Sequence, residues 1–220
     1  KTLDYVVREM TSPDGAFFSA TDADSLTPSA HRDEGWFVPW TREEFSVVLG
    51  TDDDRIAAAV YGVDTGGNFE GRNVLYLPRE LDSAAGDLGL STVQLASDLD
   101  RINAALYARR QQRPAPLRDD KIIAAWNGLM ISAFARAGFA LDDSAYVDQA
   151  GRAADFILNK MVVDDRLKRS FKYGLAGVNG FLDDHAFLIA ALLDLFAATA
   201  DQKWLARAVE LDQILSDRFE

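Results

Sequence analysis

The 220-residue chain contains no cysteine and only two histidines, His31 and His185. Disulfides, thiolate metal sites and redox thiols are therefore excluded from it. Positive charge is scarce as well: 23 lysines and arginines stand against 35 acidic residues, a formal net charge of -12. Such a field repels nucleic acid and anionic membrane surfaces, so a neutral or cationic partner fits better. Long hydrophobic runs are missing too. The strongest, Ala186 to Ala198, is too short and too interrupted to span a bilayer, and no signal-peptide pattern opens the chain. These absences lead us to expect a soluble, cytoplasmic protein with no nucleic-acid partner, no membrane partner and no cofactor.

What is present is apolar material. Hydrophobic residues make up 48% of the chain, enough for a sizeable core. The stretch Asp119 to Gly138 organises the rest, with Ile122, Ile123, Trp126, Leu129, Met130, Ala133, Phe134 and Ala137 at helical spacing. Asp119 and Asp120 suit the positive end of that helix, and Gly138 can close it. Further helices are expected over Thr2 to Met10, Thr41 to Leu49, Arg55 to Tyr61, Ser91 to Gln112, Tyr146 to Met161, Leu182 to Thr199 and Asp201 to Phe219. Ala16 to Ala20 and Trp36 to Trp40 read as the strands of a small β-hairpin whose tip is the polar excursion Thr21 to Glu34, and Asn73 to Leu77 as a third strand. Lys168 to Gly180 reads as a glycine-containing loop.

Two segments resemble copies of one unit. Asp119-Asp120-Lys121 and Asp183-Asp184-His185 each open a helix followed by a short loop and a second helix, at an offset of 64 residues. A repeated helical hairpin of this period suits an inner and outer ring of helices or, alternatively, a linear solenoid. The chain opens in one helix and closes in another, neither with a disordered tail, which leads us to expect a piece of something longer.

Candidate chemistry follows from the acidic leading ends. If the inner helices bring them around one mouth, Asp119 and Asp184 supply paired carboxylates for acid and base work on sugars, with Lys121 as a pocket cation. The plainer reading makes all four aspartates helix caps. Trp126 reads as a core residue first and a sugar-stacking wall second, with Asn127 about 100° away and facing a cavity; Trp40 is a second candidate wall. His185 opens the most apolar helix and reads as a structural imidazole ahead of a proton-transfer group. Asp22-Ala23-Asp24-Ser25 alternates carboxylates as a calcium loop does, yet lacks the glycine at the sixth position and the glutamate at the twelfth. Asp22 and Asp24 are therefore read as solvated loop first and pocket lining second, and no metal site is expected. Gly66-Gly67 lacks the lysine of a phosphate loop.

Five motifs, EMTSPDGAFFSATDADS, GWFVPWTREEF, NVLYLP, DDKIIAAWNGLMISAFARAG and LDDHAFLIAALLDLFAATADQKWLARA, stand in an order and spacing that resembles the YyaL-type, spermatogenesis-associated thioredoxin-domain family over nearly the whole chain. The resemblance implies a mainly α chain, residues 1–220 forming a single domain that is the first half of an (α/α)6 toroid of the six-hairpin glycosidase kind, with a small β-hairpin excursion near the N-terminus. It maps the family's acidic pair to Asp22 and Asp24, its Asp-x-Lys to Asp119 and Lys121, its Trp-Asn-Gly to Trp126-Asn127-Gly128 and its second acidic position to Asp184. His185 departs from the family's tyrosine, and Val38-Pro39 from its Tyr-Val. Implied partners are a small sugar or sugar derivative, an N-terminal thioredoxin-like domain and the second half of the ring, or self-association of the chain. Two functions are carried forward: a carbohydrate-processing toroid of the epimerase, isomerase or glycosidase kind, and a non-catalytic scaffold that accompanies a thioredoxin-like redox domain.

Overall fold

The computed structural model describes residues 1–219. It is mainly α and built from helical hairpins. In chain order the elements begin with α1 (Thr2–Glu9), β1 (Ala20–Thr21), β2 (Asp24–Leu26), β3 (Arg32–Glu34), α2 (Arg42–Tyr61), α3 (Leu81–Leu88) and α4 (Thr92–Arg110). There follow β4 (Arg118–Asp119), β5 (Ile122–Ile123), α5 (Ala124–Leu141), α6 (Ser144–Phe156), β6 (Val162–Val163), β7 (Arg166–Lys172), β8 (Leu175–Asn179), α7 (Leu182–Thr199) and α8 (Gln202–Phe219). These group into two compact units, one made of Lys1–Thr21 with Arg118–Glu220 and the other of Asp22–Leu117. No helix among the described residues is long and apolar enough to cross a membrane.

The first unit is built on α5 and α7. Both are apolar on nearly every side, and they pack against each other while α6 covers α5 and α8 covers α7. Their buried faces interleave Ile131, Phe134, Leu188, Leu192 and Leu195, each contributing about 1.5–3 kcal/mol by burial. The helices touch at Gly128, where an added Cβ would stand 2.6 Å from the Phe187 carbonyl carbon. Only a residue without a side chain permits that approach. Asn127 buries its amide beside it, donating to the Phe17 and Ile123 carbonyls (2.9 and 3.0 Å) and accepting from the Phe17 N–H (2.8 Å). It therefore pins the N-terminal segment as a strand partner would, with Phe17 stacked on Phe134. The Asn-Gly of the motif thus has a packing cause, and Asn127 faces backbone instead of the cavity expected for it.

Several expected elements shift. The organising helix starts at Ala124, not Asp119, and ends beyond Gly138, with Asp142 in the left-handed conformation closing it. Ile122 and Ile123 fit the helical stripe, but they pair with Phe171 and Ser170 of β7, and strand pairing takes them out of the helix. Gly138 is instead a contact point, where a Cβ would meet Val147 Cγ2 at 2.6 Å. The segment read as a loop is a β-hairpin, β7 with β8, turned by Tyr173 (φ 53) and Gly174 (φ 80). Positive φ at both central residues is the two-residue turn that matches strand twist. The helical hairpins α5–α6 and α7–α8 are both present, but their acidic openings differ: Asp183 and Asp184 lie in the first turn of α7, whereas Asp119 sits in β4, ahead of α5.

The second unit packs α2, α3 and α4 around Trp40, Phe45, Ile56, Val60, Leu95, Ile102 and Leu106. Gly50, at φ 69 and ψ -179, breaks α2 at the point where the sequence predicts one helix to stop. Ser91 and Gln94 cap α4 reciprocally. Helix α3 was not expected. The N-terminal β-hairpin forms inside the polar excursion, β2 with β3, and not between the two aromatic segments. Ala20–Thr21 pairs with Arg118–Asp119, and Trp40 bridges Asn73. Turn residues Thr27 to His31 close the short hairpin locally, which two strands flanking a longer polar loop cannot match in loop entropy.

Candidate functional site

Strand β7 divides the acidic residues of the first unit. Side chains alternate across a strand, so Leu167, Arg169 and Phe171 share one face while Lys168, Ser170 and Lys172 share the other. Leu167 is buried and Phe171 packs edge-on against Phe156, which makes theirs the core face. Arg169 meets Asp184 from that face at 3.1 Å, and Lys172 meets Asp119 from the other at 3.1 Å. The two aspartates therefore do not converge on a common pocket.

Asp184 is fully buried. Its carboxylate accepts from the Phe181 N–H at 2.9 Å, opening its own helix, and from the Ala125 N–H at 3.0 Å, opening α5. Helix α5 has no side-chain cap of its own, so Asp184 caps two helices at once while Arg169 balances its charge. Three hydrogen bonds hold it and none of its surface meets solvent, so a catalytic role for Asp184 is corrected to a structural one. His185 follows it into the interior at 1% exposure, its Nδ1 bonded to the Phe181 carbonyl at 2.8 Å and its ring edge-on to Phe219. A carbonyl only accepts, so Nδ1 carries the proton, and the ring does not reach solvent where a substrate would lie. Trp40 is corrected in the same way: at 2% exposure, it lies under the Arg113 guanidinium and edge-on to Phe45, with no face left for a sugar.

Asp119 is open. Its side chain is 36% exposed, and its two oxygens meet Lys121 Nζ at 3.0 Å and Lys172 Nζ at 3.1 Å. The Lys121 ammonium, helped by the Lys172 hydrogen bond and the Lys121 backbone N–H, outweighs partial burial and holds the carboxyl at about 2. Asp119 in turn raises Lys172. The trio carries one surplus positive charge in an acidic protein. Trp126, in the first turn of α5, is 51% exposed, contrary to its expected place in the core. Because α5 is apolar all round, its stripe did not tell which large residues face inward. Tyr173 stands at the hairpin tip with Lys172 5.1 Å from its ring. Arg169, Lys172 and Tyr173 were not anticipated; the alternation of Leu167, Arg169 and Phe171 before Tyr-Gly was the signal.

Asp22 and Asp24 belong to the other unit. Asp22 is exposed, accepts from the Asp24 N–H at 3.2 Å and pairs with Arg32 at 3.6 Å, as a solvated turn does. Among the described residues no group of three or more histidine, cysteine or acidic side chains is placed to hold a metal ion. An open groove of about 410 Å³ lies along α6 and the start of α8, lined by Asp148, Arg152, Asp155, Lys203 and Trp204, away from every anticipated residue.

No family model matches the chain. It is 32% identical to human spermatogenesis-associated protein 20 and 33% identical to the mouse protein, in each case over 99% of this chain and 31% of the relative. It is 31% identical to the uncharacterized protein B0495.5 of Caenorhabditis elegans, over 97% of this chain and 33% of that protein. The chain thus spans about a third of the length of these relatives. Among solved structures, cellobiose 2-epimerase from Bacillus thermoamylovorans aligns with 95% of the chain and 50% of its own, at 10% identity and a TM-score of 0.40, too low to support a statement about this chain.

Proposed function

The chain is a homologue of spermatogenesis-associated protein 20, and from that premise we propose that it is a sugar- or polyol-recognising part of an α/α toroid, with its contact site at the leading end of α5. The observation that supports this reading is that a part-exposed, ionised carboxylate and an exposed indole both stand at the leading end of α5. Asp119 and Lys172, each about a third exposed, stand ahead of that end with Lys121, and Trp126 follows in the first helical turn. Hydroxyl-rich ligands are bound by such sets: a carboxylate accepts from hydroxyls, ammonium groups donate to them, and an aromatic face covers the C–H side of the ring.

The geometry also limits the chemistry. Held at about 2, Asp119 remains a carboxylate through the neutral range and can accept a proton or a hydrogen bond, but it is not a general acid there. Asp184 cannot supply the second group. Recognition is therefore what we assign to this end of α5. A thermal-shift and tryptophan-fluorescence screen of free and phosphorylated mono- and disaccharides tests this. Saturable binding lost in Asp119→Asn and Trp126→Ala is expected; binding that survives both substitutions contradicts it.

A second reading, an interaction scaffold, draws on a different observation. Leu129 and Ala133 on α5, and Leu182, Ala186, Ala190 and Leu193 on α7, are all exposed on helices whose other sides form the core. An apolar face of this kind calls for a cover. The further two thirds of the relatives' length, or a second copy of the chain, is the cover we propose, and a monomer by sedimentation at high concentration that binds no apolar dye would remove this reading.

A further inference from the structure

In the second unit, three guanidinium groups gather on residues 36–40 and a fourth joins them through Glu44. Arg72 lies over the Trp36 ring at 3.9 Å and donates to the Trp36 and Pro39 carbonyls at 3.3 and 3.0 Å. Arg113 lies over the Trp40 ring at 4.3 Å and donates to the Phe37 and Pro39 carbonyls at 2.7 and 2.8 Å. Arg110 stands 5.8 Å from the centroids of both Phe37 and Tyr107. Arg109 joins them through Glu44, whose carboxylate answers Arg113 at 2.8 Å and Arg72 and Arg109 at 3.7 Å each.

The helix dipole explains why Arg109 and Arg110 sit in the last turn of α4. It does not explain why the buried Arg113 and the part-buried Arg72, from other segments, join them around one glutamate, in a chain whose overall charge is -12. The crowding is felt electrostatically: burial and the charge of Arg113 lower Arg72, while burial and the charges of Arg109 and Arg110 lower Arg113. Hydrogen bonding is incomplete as well. The Nε–H groups of Arg72 and Arg110 are both buried without an acceptor, whereas buried donors are normally paired. Positive charge beyond what Glu44 and the nearby Asp33 neutralise, together with two unanswered guanidinium donors framed by aromatic rings, is complementary to an oxyanion.

We propose that the arginine cluster over residues 36–40 is a binding site for a small oxyanion, a phosphoryl or carboxylate group taken by the part-exposed Arg109 and Arg110 with Arg72 behind them. Arg113 and Glu44 hold the frame. The site is independent of the α5 end and of any sugar reading. Calorimetric titration of the whole chain with inorganic phosphate and, separately, with succinate, at constant ionic strength set with sodium chloride, tests it. Saturable binding of either anion, weakened tenfold or more by Arg110→Gln and by Arg109→Gln and partly restored in Arg110→Lys, is the expected result. The better-bound anion names the group. Arg109 is half exposed, so its variant reports even if Arg110→Gln fails to fold, and Lys203→Gln, in the other unit, should bind as the parent does. Heat that is non-saturable for both anions, or affinity unchanged in Arg109→Gln and Arg110→Gln, overturns the proposal.

Discussion

The two faces of β7 hold the same pair of chemical groups, an aspartate and a cation, and use them in opposite ways. On the core face, Asp184 is closed to solvent and bonded to two helix N-termini, with the part-exposed Arg169 beside it. On the outer face, Asp119 with Lys172 and Lys121 keeps about a third of its surface open and no helix depends on it. An acidic residue opening a helical hairpin is thus no sign of a site in itself; what separates the two is whether helix N-termini have already claimed the carboxylate and sealed it from solvent.

The sharpest break in this comparison comes from Asp184→Ala. It uncaps α5 and α7 together, at about 0.5–2 kcal/mol for each lost cap, while Arg169 keeps Asp183 at 3.5 Å; urea denaturation should show it as a large fall in midpoint. Next is Gly128→Ala, where the added methyl group meets the Phe187 backbone. Overpacking of this kind costs about 1–3 kcal/mol, again measured by urea denaturation, and leaves the Asp119 face intact. Asp119→Asn acts through pH instead. The folded carboxyl, at about 2, lies below its usual 3.8, so its contribution is present above pH 4 and lost as pH falls toward 2. The parent should lose stability across that window more steeply than the variant, read from denaturation midpoints at pH 5 and pH 2. The smallest stability effect belongs to Trp126→Ala: half of the ring is already in water, so the melting temperature should move little while sugar binding disappears.

Much of the architecture was legible in the sequence. Helix α7, the α5–α6 and α7–α8 hairpins, the break at Gly50 and the family resemblance through its motifs all follow from periodicity, caps and residue order, and the relatives bear the resemblance out. The site was less legible because its assignments turn on long-range partners. Ile122 and Ile123 satisfy a helical stripe until β7 pairs with them. Trp126 and Leu129 sit on a helix so apolar that no stripe marks its inside. Asp184 reads as an ordinary first-turn aspartate, and nothing local shows that it also caps α5. Arg169 and Lys172, which sort the carboxylates, fall in a segment whose short alternation is easily taken for loop.

The most direct measurement is a paired comparison of Asp119→Asn and Asp184→Asn, each followed by thermal unfolding and by titration with the best-bound saccharide from the screen. The account predicts that Asp119→Asn keeps its melting temperature at neutral pH within a few degrees and loses binding. It also predicts that Asp184→Asn melts well below the parent yet binds the saccharide normally at temperatures where it is folded. Undiminished binding in Asp119→Asn, or an Asp184→Asn protein that melts like the parent and no longer binds, would contradict it.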